Sequence, residues 1–519
     1  MMSSMPMDDG ATFTSEDEAS ARGEEGRPEH LDAIVIGAGI SGIGMACRLR
    51  TECPSKSLAV LESRDAIGGT WDLFRYPGIR SDSDMFTLGF NFRPWQDARA
   101  IADGPSIRSY LGETASEYGV DRLVRFGHRV VRAEWSTVEA RWTLEIELAG
   151  GGTKTMTCFY LSASTGYYDY EQGYTPEFPG AERFAGTIIH PQHWPEDFDY
   201  YGKRVVVIGS GATAMTLVPA LAGRAAQVTM LQRSPTYVVS LPARDRIAMA
   251  LQRRLPSRLA YSLTRAKNVA LQWVSYRASR RFPQLMRRLF RKGVVDSLPA
   301  GYDVDTHFNP DYDPWDQRVC LVPDGDLFEA LASGRAEIVT DRIETFTEDG
   351  IRLASGRELE ADVIVTATGL QMLFFGGIEV VVDGREIDLS DTVAYKGMML
   401  AGVPNLTFSV GYTNASWTLK CDLVSKYACR LINHMDEHGY ASCTPQAPGP
   451  GVELVPVVDL KAGYVLRSLD ELPKQGTKAP WSLKQNYPYD IAMLRWGPVD
   501  DGIEFSRAPS RPPAAAITT

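Results

Sequence analysis

Two short runs of small residues have the composition and spacing needed to hold phosphate groups: Gly37-Ala-Gly39-Ile-Ser-Gly42 and Gly209-Ser-Gly211-Ala-Thr-Ala214. Each follows a β-branched run, Asp32-Ala-Ile-Val-Ile and Lys203-Arg-Val-Val-Val-Ile, and precedes an apolar stretch with helical spacing. In that context the first glycine permits the strand-to-helix turn and the second lets main chain approach a pyrophosphate. The third small residue lets helix and strand pack closely, and alanine serves there as well as glycine. The helix that follows offers unpaired N–H groups and the positive end of its dipole to the phosphates. Gly37, Gly39, Gly42, Gly209, Gly211 and Ala214 are therefore expected to bind dinucleotides.

The residues that close the next strand separate the two sites. Leu58-Ala-Val-Leu61 ends in Glu62, twenty residues after Gly42, where a carboxylate takes ribose hydroxyls. Val228-Thr-Met-Leu-Gln232 is followed instead by Arg233 and Ser234. A carboxylate there would repel a 2′-phosphate, whereas arginine pairs with it and serine hydrogen-bonds it. The first loop suits FAD and the second NADPH. The bland reading of Arg233 is a loop cation.

The elements that must position these residues follow an α/β pattern, with short β-branched runs alternating with helical ones. The expected fold is two Rossmann-like dinucleotide-binding domains, for FAD and NADPH, with a helical insertion in the NADPH domain. The expected boundaries are a disordered acidic tail over 1–30, FAD domain over 31–168 and NADPH domain over 169–240. A basic helical insertion follows over 241–300, the NADPH domain resumes over 301–361, the FAD domain over 362–507, and a second disordered tail covers 508–519. Ser162-Ala-Ser-Thr-Gly166 and Asp362-Val-Ile-Val-Thr-Ala-Thr-Gly369 read as the crossings between the domains.

Bulk properties exclude several classes. The 519 residues, 44% hydrophobic and 23% charged, suit a soluble chain of two or three domains. A net charge of -11 weighs against general nucleic-acid binding. The seven cysteines are scattered without a C-x-x-C pair, so neither a zinc knuckle nor a redox dithiol is indicated, and no metal site is expected. Free thiols, no apolar run of membrane-spanning length and no signal-type N-terminus read as cytoplasmic. The sign of the charge is not uniform. Arg244 to Lys292 holds fourteen Lys/Arg against one Asp, interleaved with apolar residues and divided by Pro256 and Pro283. It reads as helices with a basic outer face, packed on their own domain by the apolar side. The sharper alternative is peripheral contact with an anionic membrane or an acidic partner surface.

Phe184, Gly186, His190, Trp194 and Pro195 form the pattern F-x-G-x-x-x-H-x-x-x-W-P. The segment resembles the fingerprint of class B flavoprotein monooxygenases of the Baeyer–Villiger type. Gly68-Gly69-Thr70-Trp71, Arg75-Tyr-Pro-Gly78 and Asp82 agree with it. Together with Gly411-Tyr-Thr-Asn-Ala-Ser-Trp417 and Leu469-Asp-Glu-Leu-Pro-Lys-Gln, they look like the ethionamide-activating branch. The resemblance runs from Leu31 to about residue 505.

The resemblance implies that NADPH reduces FAD and that flavin-activated oxygen converts a hydrophobic ketone to an ester. Oxygenation of sulfides or thioamides at sulfur is the implied side activity. It places Gly69, Thr70, Trp71 and Asp82 against the cofactor, and the family's active-site arginine on Arg318 in Asp316-Gln-Arg318-Val-Cys-Leu. Asp82 matches the carboxylate that orients this arginine. An oxygen-centred anion needs a fixed positive partner that keeps its proton, and arginine meets that need. His190 joins Arg318 and Asp82 in the catalytic set, although its place beside a domain connection favours orienting the NADPH domain. The bland readings are a helix cap for Asp82, a surface ion pair for Arg318 and a satisfied structural residue for His190. Gln317 departs from the family, where lysine often precedes the arginine and grips the 2′-phosphate. An N- or S-oxygenating flavin monooxygenase, and a flavin-binding redox sensor without turnover, stand as alternatives. Nothing in the sequence fixes an oligomeric state.

Overall fold

The computed structural model describes residues 27–458 and 463–507. Strand β1 (Glu29–Ile36) leads into helix α1 (Ile40–Glu52) and back into β2 (Leu58–Leu61). β1 lies parallel between β2 and the strand Thr153–Ala163. Its centre, Ile34 and Val35, is fully buried, as a parallel strand covered on both faces requires. The sheet has nine strands and continues beyond Thr153–Ala163 as an antiparallel meander through Arg141–Leu148 and His128–Ser136.

The tail expected over 1–30 falls outside the described residues up to position 26, and its end needs correction. Glu29 and His30 already belong to β1 because Arg125 and Lys154 hold the Glu29 carboxylate. The Arg125 hydrogen bonds bring that carboxyl down to about 2, so it stays charged. The tail expected over 508–519 also lies outside the described residues.

The second unit is a parallel sheet of five strands. β3 (Arg204–Ile208), α2 (Ala212–Leu221) and β4 (Gln227–Gln232) repeat the strand–loop–helix–strand order of the first unit. The helices α3 (Arg246–Gln252), α4 (Ser257–Arg281) and α5 (Pro283–Ser297) then leave the sheet. The chain returns through β5 (Cys320–Pro323) and Ala336–Thr340 to β6 (Val363–Thr366). β6 pairs with β3 and with Thr187–Ile189, so it belongs to this sheet. The crossing back therefore follows Gly369 rather than residue 361. Helix α6 (Trp417–His438) closes the first unit by packing on α1, where Arg48 pairs with the buried Asp422 at 2.8 Å.

Both crossings meet in one two-stranded ribbon, Tyr168–Gly173 antiparallel to Leu370–Met372. The insertion also differs from expectation in how it packs. α4 lies against the first unit, not only its own, and its buried side carries Tyr261, Thr264, Arg265 and Asn268. Arg265 donates to the carbonyl oxygens of Phe86 and Gly89, both at 2.8 Å. The polar side is inward because unpaired main-chain carbonyls of the distant segment 86–89 need donors.

Candidate active site between two dinucleotide-binding loops

α1 starts at Gly39 with no side-chain cap and no acidic residue in its first turn. Its first N–H groups are thus left for an anion. Gly42 is pressed onto the turn, where a Cβ would stand 1.8 Å from the Gly37 oxygen. Opposite the loop, Gly69 has φ +56°, and a Cβ on it would stand 2.9 Å from Gly39 Cα. Two stretches of main chain face each other with no side chain between them, a cradle fit for a pyrophosphate. Glu62 is buried beside it, accepting from Ala38 N at 2.7 Å through Oε2 and from Arg64 N at 2.9 Å through Oε1. Oε1 also accepts from Ser63 Oγ at 3.4 Å, and Oε2 retains a lone pair for a hydroxyl. Thr70 reaches Tyr170 at 3.3 Å, and Trp71 packs half-buried on the first core.

The second loop repeats the design. α2 starts at Gly211, again uncapped, and a Cβ on Gly211 would meet nothing within 4 Å. Ala214 is fully buried against the sheet, which explains the small third residue. Ser210 Oγ donates to Ser234 O at 3.1 Å and so ties the loop to the end of β4. Arg233 and Ser234 are exposed there, and Arg233 has no ion pair among the described residues. An exposed cation and hydroxyl beside an open phosphate cradle fit a 2′-phosphate.

Arg318 and Asp82 meet beside the second loop. Arg318 Nη1 donates to Asp82 Oδ2 at 2.9 Å. Two packing arrangements bring them together. Cys320, two residues beyond Arg318, joins β5 to Val238–Leu241 directly after Arg233 and Ser234, with Cys320 N donating to Tyr237 O at 2.8 Å. The segment that carries Asp82 leaves the first unit and runs over α2, where a Cβ on Gly78 would stand 2.6 Å from Ala220 Cβ. In the Ser-Asp-Ser-Asp run, Asp84 is the helix cap, accepting from Thr87 N at 3.1 Å. Asp82 is left to Arg318.

His190 lies on the ribbon between the sheets. Its Nε2 is 3.2 Å from Gly369 O, and its Nδ1 accepts from Gln192 N at 3.2 Å. A Cβ on Gly173 would overlap the ring, 1.9 Å from Cε1. The imidazole therefore touches both crossing strands and spends both nitrogens on main chain. Burial lowers its pKa, so the neutral tautomer with the proton on Nε2 satisfies both contacts. Trp194 is buried edge-on against Phe198 and Tyr200.

Several residues around the site have no role assigned from the sequence. Trp417 Nε1 donates to Ser41 Oγ at 2.8 Å in the first turn of α1, and its ring stacks on Tyr167. Gly411 leaves room for that ring; a Cβ there would be 2.5 Å from it. Asp72 is fully buried, and Arg64, Arg75 and Arg108 hold it charged against the cost of burial. Asn268 and Gln272 of α4 donate to Asp84 at 2.9 and 3.1 Å. Gly411 and Trp417 lie in a segment that carries the family resemblance, without a role attached to either there.

Comparison with known proteins settles the family. The chain is 57% identical to the FAD-containing monooxygenase EthA of Mycobacterium tuberculosis over 93% of its own length and 99% of that protein. The chain belongs to the FAD-containing monooxygenases. It is also 55% identical to EthA of Mycolicibacterium smegmatis over 91% of the chain and 96% of the relative. A flavin-binding monooxygenase-like family pattern matches residues 102–289, and an NAD(P)-binding Rossmann-like pattern matches residues 35–103. The fold matches an oxidised steroid monooxygenase bound to NADP, with TM-score 0.71 and 23% identity over 92% of this chain and all of that one. It also matches cyclohexanone monooxygenase from Rhodococcus sp. Phi1 bound to NADP+, with TM-score 0.70 and 21% identity over 93% of this chain and 100% of that one. The expected family and two-domain class stand. Among the described residues no helix is long and apolar enough to cross a membrane, and no group of side chains could hold a metal ion.

Proposed function

We propose that this monooxygenase converts hydrophobic ketones to esters, consuming NADPH and O2 and releasing water, and oxidises sulfides or thioamides at sulfur as a secondary activity. The observation that carries the reading is the Arg318–Asp82 pair, formed beside the second dinucleotide loop by a residue from each unit.

FAD supplies oxygen activation when bound, and NADPH supplies the two electrons. Every other task falls to the chain. Gly37, Gly39, Gly42 and Gly69 accept the FAD pyrophosphate, with Thr70 and Trp71 beside it, and Glu62 takes ribose hydroxyls. Gly209, Gly211 and Ala214 receive the second pyrophosphate, while Arg233 and Ser234 select the 2′-phosphate. Arg318 holds a positive charge that does not give up its proton near neutral pH, so it steadies negative charge on oxygen. Asp82 fixes that guanidinium in place. His190 acts as a positioning residue on the interdomain ribbon, holding the angle between the two units.

The test is competition between a ketone and a sulfide of matched chain length, with product analysis after NADPH-driven turnover. Ester as the main product supports the reading. Sulfoxide alone would assign the enzyme to N- and S-oxygenation, and a purified protein that takes up no flavin would overturn both.

A further inference from the structure

Among the described residues, nineteen large apolar side chains are exposed, and eleven of them fall between positions 241 and 295. They are not scattered. On α4, Leu259, Leu263, Ala266, Ala270, Trp273 and Val274 recur every three or four residues along one exposed stripe. The opposite stripe of the same helix is buried and polar, its Arg265, Asn268 and Gln272 bonded into segment 84–89. A helix on a globular surface normally turns its apolar stripe inward. α4 is inverted. Next to it, α5 exposes Leu285 and Leu289, three and seven residues after the exposed Phe282 in the turn between the helices, a spacing that puts the three on one side.

This apolar stripe has a basic border. Arg253, Arg254, Arg258, Arg281 and Arg288 are exposed, and none has a carboxylate within ion-pair distance among the described residues. Apolar side chains flanked by unneutralised cations match an anionic bilayer, where the leucines and Trp273 enter the acyl boundary and the arginines meet phosphate. A second copy of this chain would meet the same border with like charge.

We propose that the outer face of α4 and α5 docks the enzyme on anionic phospholipid surfaces, from which it draws apolar substrate. Delivery of apolar substrate from the membrane rests on the function proposed above and is supported by position. The inner side of α4 holds Asp84, two residues from Asp82, and Tyr276 of α4 stands edge-on to Trp315 at 5.7 Å, three residues from Arg318. The docking face thus lies one helix diameter, about 10 Å, behind the segment that carries the catalytic pair.

The experiment is flotation of the purified holoenzyme with phosphatidylglycerol vesicles and with phosphatidylcholine vesicles, at low and high salt. Two variants are compared, Leu263→Asp/Val274→Asp and Arg254→Glu/Arg258→Glu/Arg281→Glu, with flavin absorbance and circular dichroism reporting the fold. The expected result is flotation with phosphatidylglycerol only, lost at high salt because the attraction is screened within a Debye length of about 8 Å at physiological salt. Each variant is expected to bind at least tenfold more weakly while retaining flavin. No flotation with phosphatidylglycerol, equal flotation with phosphatidylcholine, or unchanged flotation of both variants would overturn the proposal. So would concentration-dependent self-association abolished by Leu263→Asp/Val274→Asp without vesicle binding, which would assign the face to a second copy. None of these readouts depends on ketone turnover, so failure of the functional reading is distinguishable.

Discussion

Arg318 donates to Asp82 at 2.9 Å although 236 positions separate them in the chain. The pair joins the two units: Asp82 arrives on a segment of the first that crosses α2, and Arg318 on the strand entry beside the second loop. Both side chains are more than one-third exposed, so the bond itself adds at most about 1 kcal/mol to stability. Its role is to aim a charge.

That assignment separates two half-reactions. Arg318→Ala is expected to leave flavin reduction by NADPH within threefold of the parent while ester formation falls about 100-fold or more, the usual loss when one charge-stabilising donor is removed. Rapid-mixing absorbance for reduction and product analysis for oxygenation check it. Full ester formation in the variant would remove Arg318 from the mechanism.

Cofactor choice rests on the end of β4 rather than on position 317. Arg233→Ala is expected to raise KM for NADPH about tenfold or more, the worth of one charge-assisted hydrogen bond, and to leave KM for NADH unchanged. Equal effects on both cofactors would mean that Arg233 does not contact the 2′-phosphate.

The ribbon histidine gives a pH signature. Burial holds the His190 pKa below its ordinary 6.5, so the unfolded chain takes up the proton first as pH falls. Its contribution to stability is complete above about 6.5 and is lost as pH falls through the folded pKa. His307 is shifted the same way by burial, so the comparison must be between parent and variant. The melting temperatures of the parent and His190→Asn are expected to converge between pH 7.5 and 5.5. A constant gap would show that His190 does not titrate with unfolding.

Arg265 is the fastening of α4. Arg265→Met removes the donor to the Phe86 and Gly89 oxygens and leaves buried carbonyls unpaired, costing about 3 kcal/mol. A lowered denaturation midpoint is expected, and an unchanged one would mean that water replaces the guanidinium.

The sequence revealed the glycine loops, Glu62 and Arg233 because cofactor phosphates demand small residues and charges at fixed offsets from a strand. Arg318 and Asp82 were legible only through family resemblance, since no local pattern links positions so distant. Which aspartate of the Ser-Asp-Ser-Asp run caps the helix depended on Asn268 and Gln272, which come from another unit. The inward side of α4 is not legible in the sequence for a related reason. Its apolar spacing is ordinary, and only the carbonyls of segment 86–89, invisible to periodicity, turn its polar side inward.

Ketone oxygenation is measured by the ratio of ester formed to NADPH consumed by the purified holoenzyme over aliphatic ketones of graded length. A ratio approaching one is expected for the longer, more apolar ketones. NADPH and oxygen consumption with no ester from any ketone in the series would contradict it.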